Sequence, residues 1–280
     1  MVIKFDIVDL VHNRLRHNQN ALIAITGQTG TGKSMCALEF AWLIDKDFNA
    51  DKIVFTVKDF LELLKTLKKG EVVVFDEAGV DFDARRSSSN KNVFFSNVLK
   101  TFRYRNIPTI FTLPHLAMLD RNARRLFHYW VKTQMIDYER NVCWTKFYVI
   151  DSQDDWSDVL KRYMIRVFDP NTHEKRRIVR IGFKKPPQKL IDDYEKKKDE
   201  YVRAMLRDME KKMTTPSESG EDEDEMLEPS MKELLREEKH EKKIVIEPKK
   251  KEQKSKLFMK KDDFAVDSED HVEGYEDLLI

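Results

Sequence analysis

Apolar residues in the first half of the chain fall into short runs separated by amphipathic stretches. Ala21-Leu22-Ile23-Ala24-Ile25-Thr26, Lys52-Ile53-Val54-Phe55-Thr56, Glu71-Val72-Val73-Val74-Phe75 and Thr109-Ile110-Phe111-Thr112-Leu113 read as strands. Between them Leu38 and Trp42, then Phe60, Leu61, Leu64 and Leu67, then Phe95, Val98, Leu99 and Phe102 recur at helical spacing, with Gly70 and Pro108 as breakers. Ile7, Leu10, Val11 and Leu15 predict a short helix ahead of the first strand, and residues 116–127 predict another after the fourth. Continuous apolar strands alternating with helices predict a mostly parallel α/β sheet flanked by helices.

From His128 the pattern changes. Strands over 129–136, 142–150, 163–168 and 177–183 follow without intervening helices, the last two joined by a turn at Asp169-Pro170-Asn171-Thr172. This predicts an antiparallel β extension. Pro186-Pro187 then opens a long charged helix with Leu190, Tyr194, Tyr201 and Met205 on one side. Past it, an acidic block at 217–225 and a lysine-rich stretch at 242–261 have the composition of a disordered, charged C-terminal tail. The expected organisation is one domain over 1–212, with its core at about 20–135 and the extension and closing helix at 128–212, followed by a tail at 213–280.

Composition changes this picture little. Charged residues make up 36% of the 280, above the usual quarter, yet the formal net charge is +1, so whole-chain charge names no partner. Cys36 and Cys143 are too few for a disulfide framework or a zinc site. No run of apolar residues is long enough to span a membrane, and the first residues lack the apolar core of a signal peptide. A cytoplasmic location is expected.

The chemistry begins where the first strand ends. Gly27-Gln28-Thr29-Gly30-Thr31-Gly32-Lys33-Ser34 fits G-x-x-x-x-G-K-[ST] at every specified position, between a strand and a helix. Glycines let successive backbone N–H groups line one concavity around phosphates. Lys33 adds a positive charge, Ser34 a hydroxyl for Mg²⁺, and Met35 opens the helix whose positive dipole end faces the phosphates. The strand at 71–75 runs into Asp76 and Glu77 at the carboxyl end of the sheet. Asp76 is expected to hold Mg²⁺ through its water shell, and Glu77 to align or deprotonate the attacking water.

Phosphate cleavage also calls for a cation against the developing charge, supplied in cis or by a neighbouring subunit. Arg103 and Arg105 are the first choice, Arg121, Arg124 and Arg125 the next, and Arg85-Arg86 fit a DNA-facing loop better. Thr112 ends its strand where a γ-phosphate sensor would sit, and His115 reads as a turn residue. Thr56-Val57-Lys58-Asp59 fails the guanine-reading N/T-K-x-D pattern in spacing and order, which leaves ATP as the expected nucleotide. Trp130, Trp144 and Trp156 read as core or sheet-face residues ahead of base-stacking platforms.

With the loop, the strand at 72–75 and Asp76-Glu77-Ala78-Gly79 in place, the chain resembles the HerA/FtsK superfamily of P-loop motor ATPases, in particular its zonular-occludens-toxin-like and archaeal mobile-element members. Phe102-Arg103-Tyr104-Arg105-Asn106, Leu119-Asp120-Arg121 and Arg124-Arg125 extend the likeness, which covers about 20–135 and, more weakly, 186–198. The resemblance implies Mg²⁺-dependent ATP hydrolysis, an arginine acting across a subunit interface, a homo-oligomeric ring such as a hexamer, and DNA as the partner moved. Many members carry a glutamine where this chain has Thr112. Two functions stay open: a DNA translocase or packaging ATPase of a virus or plasmid, and an ATP-switched assembly or morphogenesis protein that binds protein partners, in part through the tail, without moving DNA.

Overall fold

The computed structural model describes residues 7–77, 97–100, 102–119, 121–151, 161–169, 174–214 and 275–279. β1 (Leu22–Thr26), β2 (Ile53–Val54), β3 (Val73–Phe75), β4 (Thr109–Leu113) and β5 (Tyr129–Asp137) form a parallel block in the order β5-β1-β4-β3-β2. β4 therefore lies between β1, which leads into the glycine-rich loop, and β3, which ends at Asp76. Three chain segments meet at one carboxyl edge for that reason.

Strand alternation sends each side chain to one of two covered faces. Ile23 and Ile25 of β1, Val74 of β3 and Ile110 of β4 join a core with α1 (Ile7–Arg16) and α2 (Lys33–Ile44). Leu22, Ala24, Val73, Phe75 and Phe111 join a second core with α3 (Val57–Thr66), Val98, Leu99 and Phe127. All five β1 side chains are buried, as the continuous apolar run required. Thr56 caps α3, its hydroxyl accepting from Asp59 N at 3.1 Å, which gives that segment a structural role.

The antiparallel half adds β6 (Val142–Asp151), β7 (Lys161–Met164), β8 (Arg166–Asp169) and β9 (Glu174–Lys184): β6 pairs with β5, β7 and β9, and β8 pairs with β9. α4 (Gln188–Thr214) follows as the long closing helix. Two expectations need adjustment. The single helix expected over 116–127 is instead two short turns, Leu116–Met118 and Arg121–Arg124, because Leu119 between them is extended (φ −82°, ψ 147°). Buried Leu119, Ala123 and Phe127 still keep a four-residue spacing, which is why they read as one helix. Inside the span expected to be a disordered tail, Tyr275–Leu279 forms β10, parallel to β9, where an extended segment satisfies edge N–H and C=O groups.

The chain divides into two units, Met1–Met205 with Glu273–Ile280, and Leu206–Val272; the sheet belongs to the first. Among the described residues no helix is long and apolar enough to cross a membrane.

Candidate functional site

The glycine-rich loop is held by its backbone. Gly30 and Gly32 have φ of 81° and 83°, in the left-handed region. A Cβ on Gly27 would collide with the Thr133 hydroxyl and come within 2.7 Å of Thr31 Oγ1; one on Gly32 would come within 3.2 Å of Cys143 Sγ. Neighbouring strands brace the loop: Thr133 Oγ1 donates to Thr31 Oγ1 at 2.7 Å and Cys143 Sγ to Thr31 O at 3.3 Å. Gln28 supplies a carbonyl that accepts from Thr31 Oγ1 and, at 3.0 Å, from Lys33 Nζ. α2 begins at Lys33 with no side-chain cap, so its first N–H groups remain for an anion.

Beyond the loop lies a cavity of about 500 Å³. Its lining includes Lys33 and Ser34 of the loop and helix start, Glu77 after β3, Thr112 of β4 and Lys198 of the closing helix. Asp76, 1% exposed, collects donors from three elements. Its Oδ1 accepts from Ser34 Oγ at 3.0 Å and Thr112 Oγ1 at 2.6 Å, and its Oδ2 from Tyr194 OH at 2.7 Å. Glu77 follows in the left-handed region (φ 55°), its N–H donating to Thr112 Oγ1 at 2.8 Å. A non-glycine residue held there stores backbone strain at the point where the carboxylate turns towards the cavity.

Tyr194 and Lys198 of α4 join the site although the sequence pattern assigns them no part in it. Lys198 Nζ lies 2.6 Å from Glu77 Oε1, 3.5 Å from Asp76 Oδ2 and 3.1 Å from Tyr194 OH. Burial opposes the Lys198 charge, but the Glu77 hydrogen bond and the Asp76 carboxylate outweigh it and raise its pKa. Burial, then Asp76, raises the Tyr194 phenol, which stays a donor. Burial lowers the Lys33 ammonium, partly offset by Asp76 and Glu77. A spacing of four on one helix was the available signal, hidden in the run Lys196-Lys197-Lys198.

Thr112 does line the cavity, but its hydroxyl is committed to Asp76 and Glu77, so it positions both acids. The first-choice arginines lie elsewhere. Both precede β4, on the amino side of the parallel strands, whereas the loop and the acids lie at the carboxyl edge, the length of a five-residue strand away. Arg105 donates to Lys65 O at 3.2 Å and Leu67 O at 2.8 Å. Arg103 is exposed; the half-buried His128 ring, which accepts from Leu22 N, has its pKa lowered to about 3 by desolvation, then by the charges of Arg14 and Arg103. Arg121 and Arg124 sit on the turn after the cavity wall, and Arg124 Nε is buried without a hydrogen-bond partner. His115 begins the turn at Leu116–Met118, as expected. Arg85, Arg86 and Trp156 lie outside the described residues.

The donors fit a nucleotide with Mg²⁺: a glycine cradle, an uncapped helix start, Lys33, and a Ser34 hydroxyl within 3.0 Å of the Asp76 carboxylate. Among the described residues no cluster of three His, Cys, Asp or Glu is placed to hold a metal ion.

Strand order, loop and acidic strand end define a P-loop nucleoside-triphosphatase fold. Residues 5–122 match the family described as type III restriction enzyme, res subunit. No curated protein matches the chain. Among solved structures it is similar to the N-terminal domain of zonular occludens toxin from Neisseria meningitidis, at 17% identity over 52% of this chain and 95% of that one, TM-score 0.34. It is also similar to the genome packaging NTPase B204 of Sulfolobus turreted icosahedral virus 2 in complex with AMP, at 13% identity over 60% and 98%, TM-score 0.32. The flagellar accessory protein FlaH from Methanocaldococcus jannaschii matches at 12% identity over 58% and 98%, TM-score 0.29.

Proposed function

We propose that the protein is a Mg²⁺-dependent ATPase of the motor class that the sequence resembles, acting on DNA. The observation that carries the hydrolytic part is the convergence of Lys33, Ser34, Glu77 and Thr112 on one cavity, with Asp76 behind them. The loop N–H groups and Lys33 bind phosphate; Ser34 and Asp76 hold Mg²⁺, which would offset phosphate charge and orient the chain of phosphates. Glu77 orients a water and takes its proton. In this reading residues 1–212 carry the ATPase and the tail offers a protein partner.

The antiparallel half of the sheet favours nucleic acid over a protein-only switch. Register places Trp130 opposite Tyr148 and Lys132 opposite Lys146 on one face. Trp130 stacks on Tyr148 at 5.1 Å, Arg162 lies over both rings at 5.2 and 5.4 Å, and Arg180 over Trp144 at 5.8 Å. Aromatic faces interleaved with cations suit single-stranded DNA, which offers a base to each ring and a phosphate to each cation. Single-stranded DNA is expected to stimulate phosphate release. Replacing Lys132 and Lys146 by Ala should flatten the salt dependence of binding by roughly 0.7 in log–log slope per lysine. Absence of both DNA binding and stimulation would favour the assembly-switch reading.

Oligomerisation belongs to the same proposal. Because Arg103 and Arg105 sit at the far end of the strands, either could serve a nucleotide only across a subunit boundary, and Arg103 is the one not bonded to carbonyls of α3's end. Mixing Arg103→Ala with Lys33→Ala subunits is expected to restore part of the turnover that each lacks, measured as phosphate release. No recovery at any ratio would place the whole site in one subunit.

A further inference from the structure

The acids that end β3 are met by a cation on a helix that belongs to neither phosphate-binding motif. α4 is anchored where it passes the sheet: Lys197 Nζ donates to Ile53 O at 2.7 Å and Ala50 O at 2.9 Å, and Tyr201 stacks on Phe55 at 4.8 Å and 14°. Tyr194 fixes the helix to buried Asp76 at 2.7 Å. The backbone at Lys198 is thus fixed, whereas its ammonium, held by Glu77 at 2.6 Å and Tyr194 OH at 3.1 Å, sits on a four-carbon stem that can re-aim it.

Two ion pairs of different character result. Asp76 is buried and collects three neutral donors besides Lys198. Glu77 and Lys198 are 48% and 30% exposed in their side chains, so their 2.6 Å pair is partly solvated and opens at little cost. While it is closed, one oxygen of the carboxylate assigned to water is occupied by an ammonium, and that ammonium faces the same cavity as Lys33. An anion entering beside Lys33 and Ser34 competes with Glu77 for this second cation.

We propose that Lys198 is a ligand of the bound nucleotide's terminal phosphate, parked on Glu77 until that phosphate arrives. This rests on the ATPase reading above. Lys198 exchanges one charge-assisted hydrogen bond for another, with no covalent change, and its transfer leaves Glu77 Oε1 open to water. One side chain then does two things: it supplies in cis a cation against the developing charge, and it frees the base only when a triphosphate is present. Lys198 is therefore a discriminator between triphosphate and diphosphate in addition to Lys33, whose place beside the loop serves the β- and γ-phosphates together.

The test is equilibrium binding of ADP and of a slowly hydrolysed ATP analogue, each with Mg²⁺, to the full chain. Lys198→Ala is expected to leave ADP affinity within about twofold and to weaken the analogue about tenfold, the scale of one hydrogen bond to a charged group. Lys198→Arg should keep most of the preference, and melting temperatures of both variants check that the fold is intact. An unchanged affinity ratio, or an equal loss for both nucleotides, overturns the assignment while the ATPase reading stands. Wild-type protein that binds neither nucleotide removes the site itself and this assignment with it.

Discussion

Glu77→Gln is expected to lower ATP turnover by about 10²–10⁴-fold while nucleotide binding persists, whereas Lys33→Ala should abolish binding. The split follows from where each side chain sits. Lys33 spans the loop to Gln28 O and contributes charge wherever the phosphates rest. Glu77 has its backbone fixed by the bond from its N–H to Thr112 and its carboxylate in the cavity, joined to the buried Asp76 through Lys198. Glutamine preserves volume and leaves Ser34 with Asp76, but it cannot accept a proton. It also loosens the hold on Lys198, so analogue affinity in Glu77→Gln should equal or exceed that of wild type. Phosphate release and fluorescent-nucleotide titration measure the two quantities separately. Equal loss of binding in both variants would refute the division of roles.

The parts legible from sequence are those in which backbone geometry dictates residue type. A loop with φ of 81° and 83° at Gly30 and Gly32 demands glycine, and a strand buried on both faces demands an apolar run, so the phosphate loop, β1, β3 and the acids after β3 could be placed in advance. Insertion of β4 between β1 and β3 is a long-range pairing that no local pattern encodes. It sets the Thr112 hydroxyl between the two acids, bonded to Asp76 Oδ1 and to Glu77 N, contacts that no sequence pattern reveals. Tyr194 was legible only as part of an apolar stripe, and Lys198 only as one lysine among three, because a surface lysine and one bent onto a carboxylate have the same local sequence. The arginines show the opposite case, a contact that the sequence order does not reveal. Arg103 and Arg105 follow an amphipathic helix in the expected order, but Arg105 is spent on the carbonyls of Lys65 and Leu67, a contact between residues 38 to 40 apart.

A buried carboxyl outside the site should make stability fall as pH rises. Glu39 lies within α2 among apolar neighbours, 5% exposed, and its Oε2 has no hydrogen-bond partner. Burial raises its pKa from 4.5 to about 7; Lys46 and Lys184 oppose the shift without cancelling it, and Glu39 in turn helps raise the Cys36 thiol, after burial and Cys143. Below about pH 4.5 the group is protonated in both folded and unfolded chains and costs nothing. Between 4.5 and 7 the unfolded chain ionises while the folded chain keeps its proton, so stability is lost as pH rises, and above 7 the loss is complete at about 3 kcal/mol. Glutamine stays neutral throughout, though its amide also lacks a full set of partners, at a cost of about 1 kcal/mol. Glu39→Gln is therefore expected to be about 2 kcal/mol more stable than wild type at pH 8 and no more stable near pH 4.5. Urea denaturation at the two pH values measures the difference, and a stability gap that does not change with pH would show that Glu39 is already ionised in the folded chain.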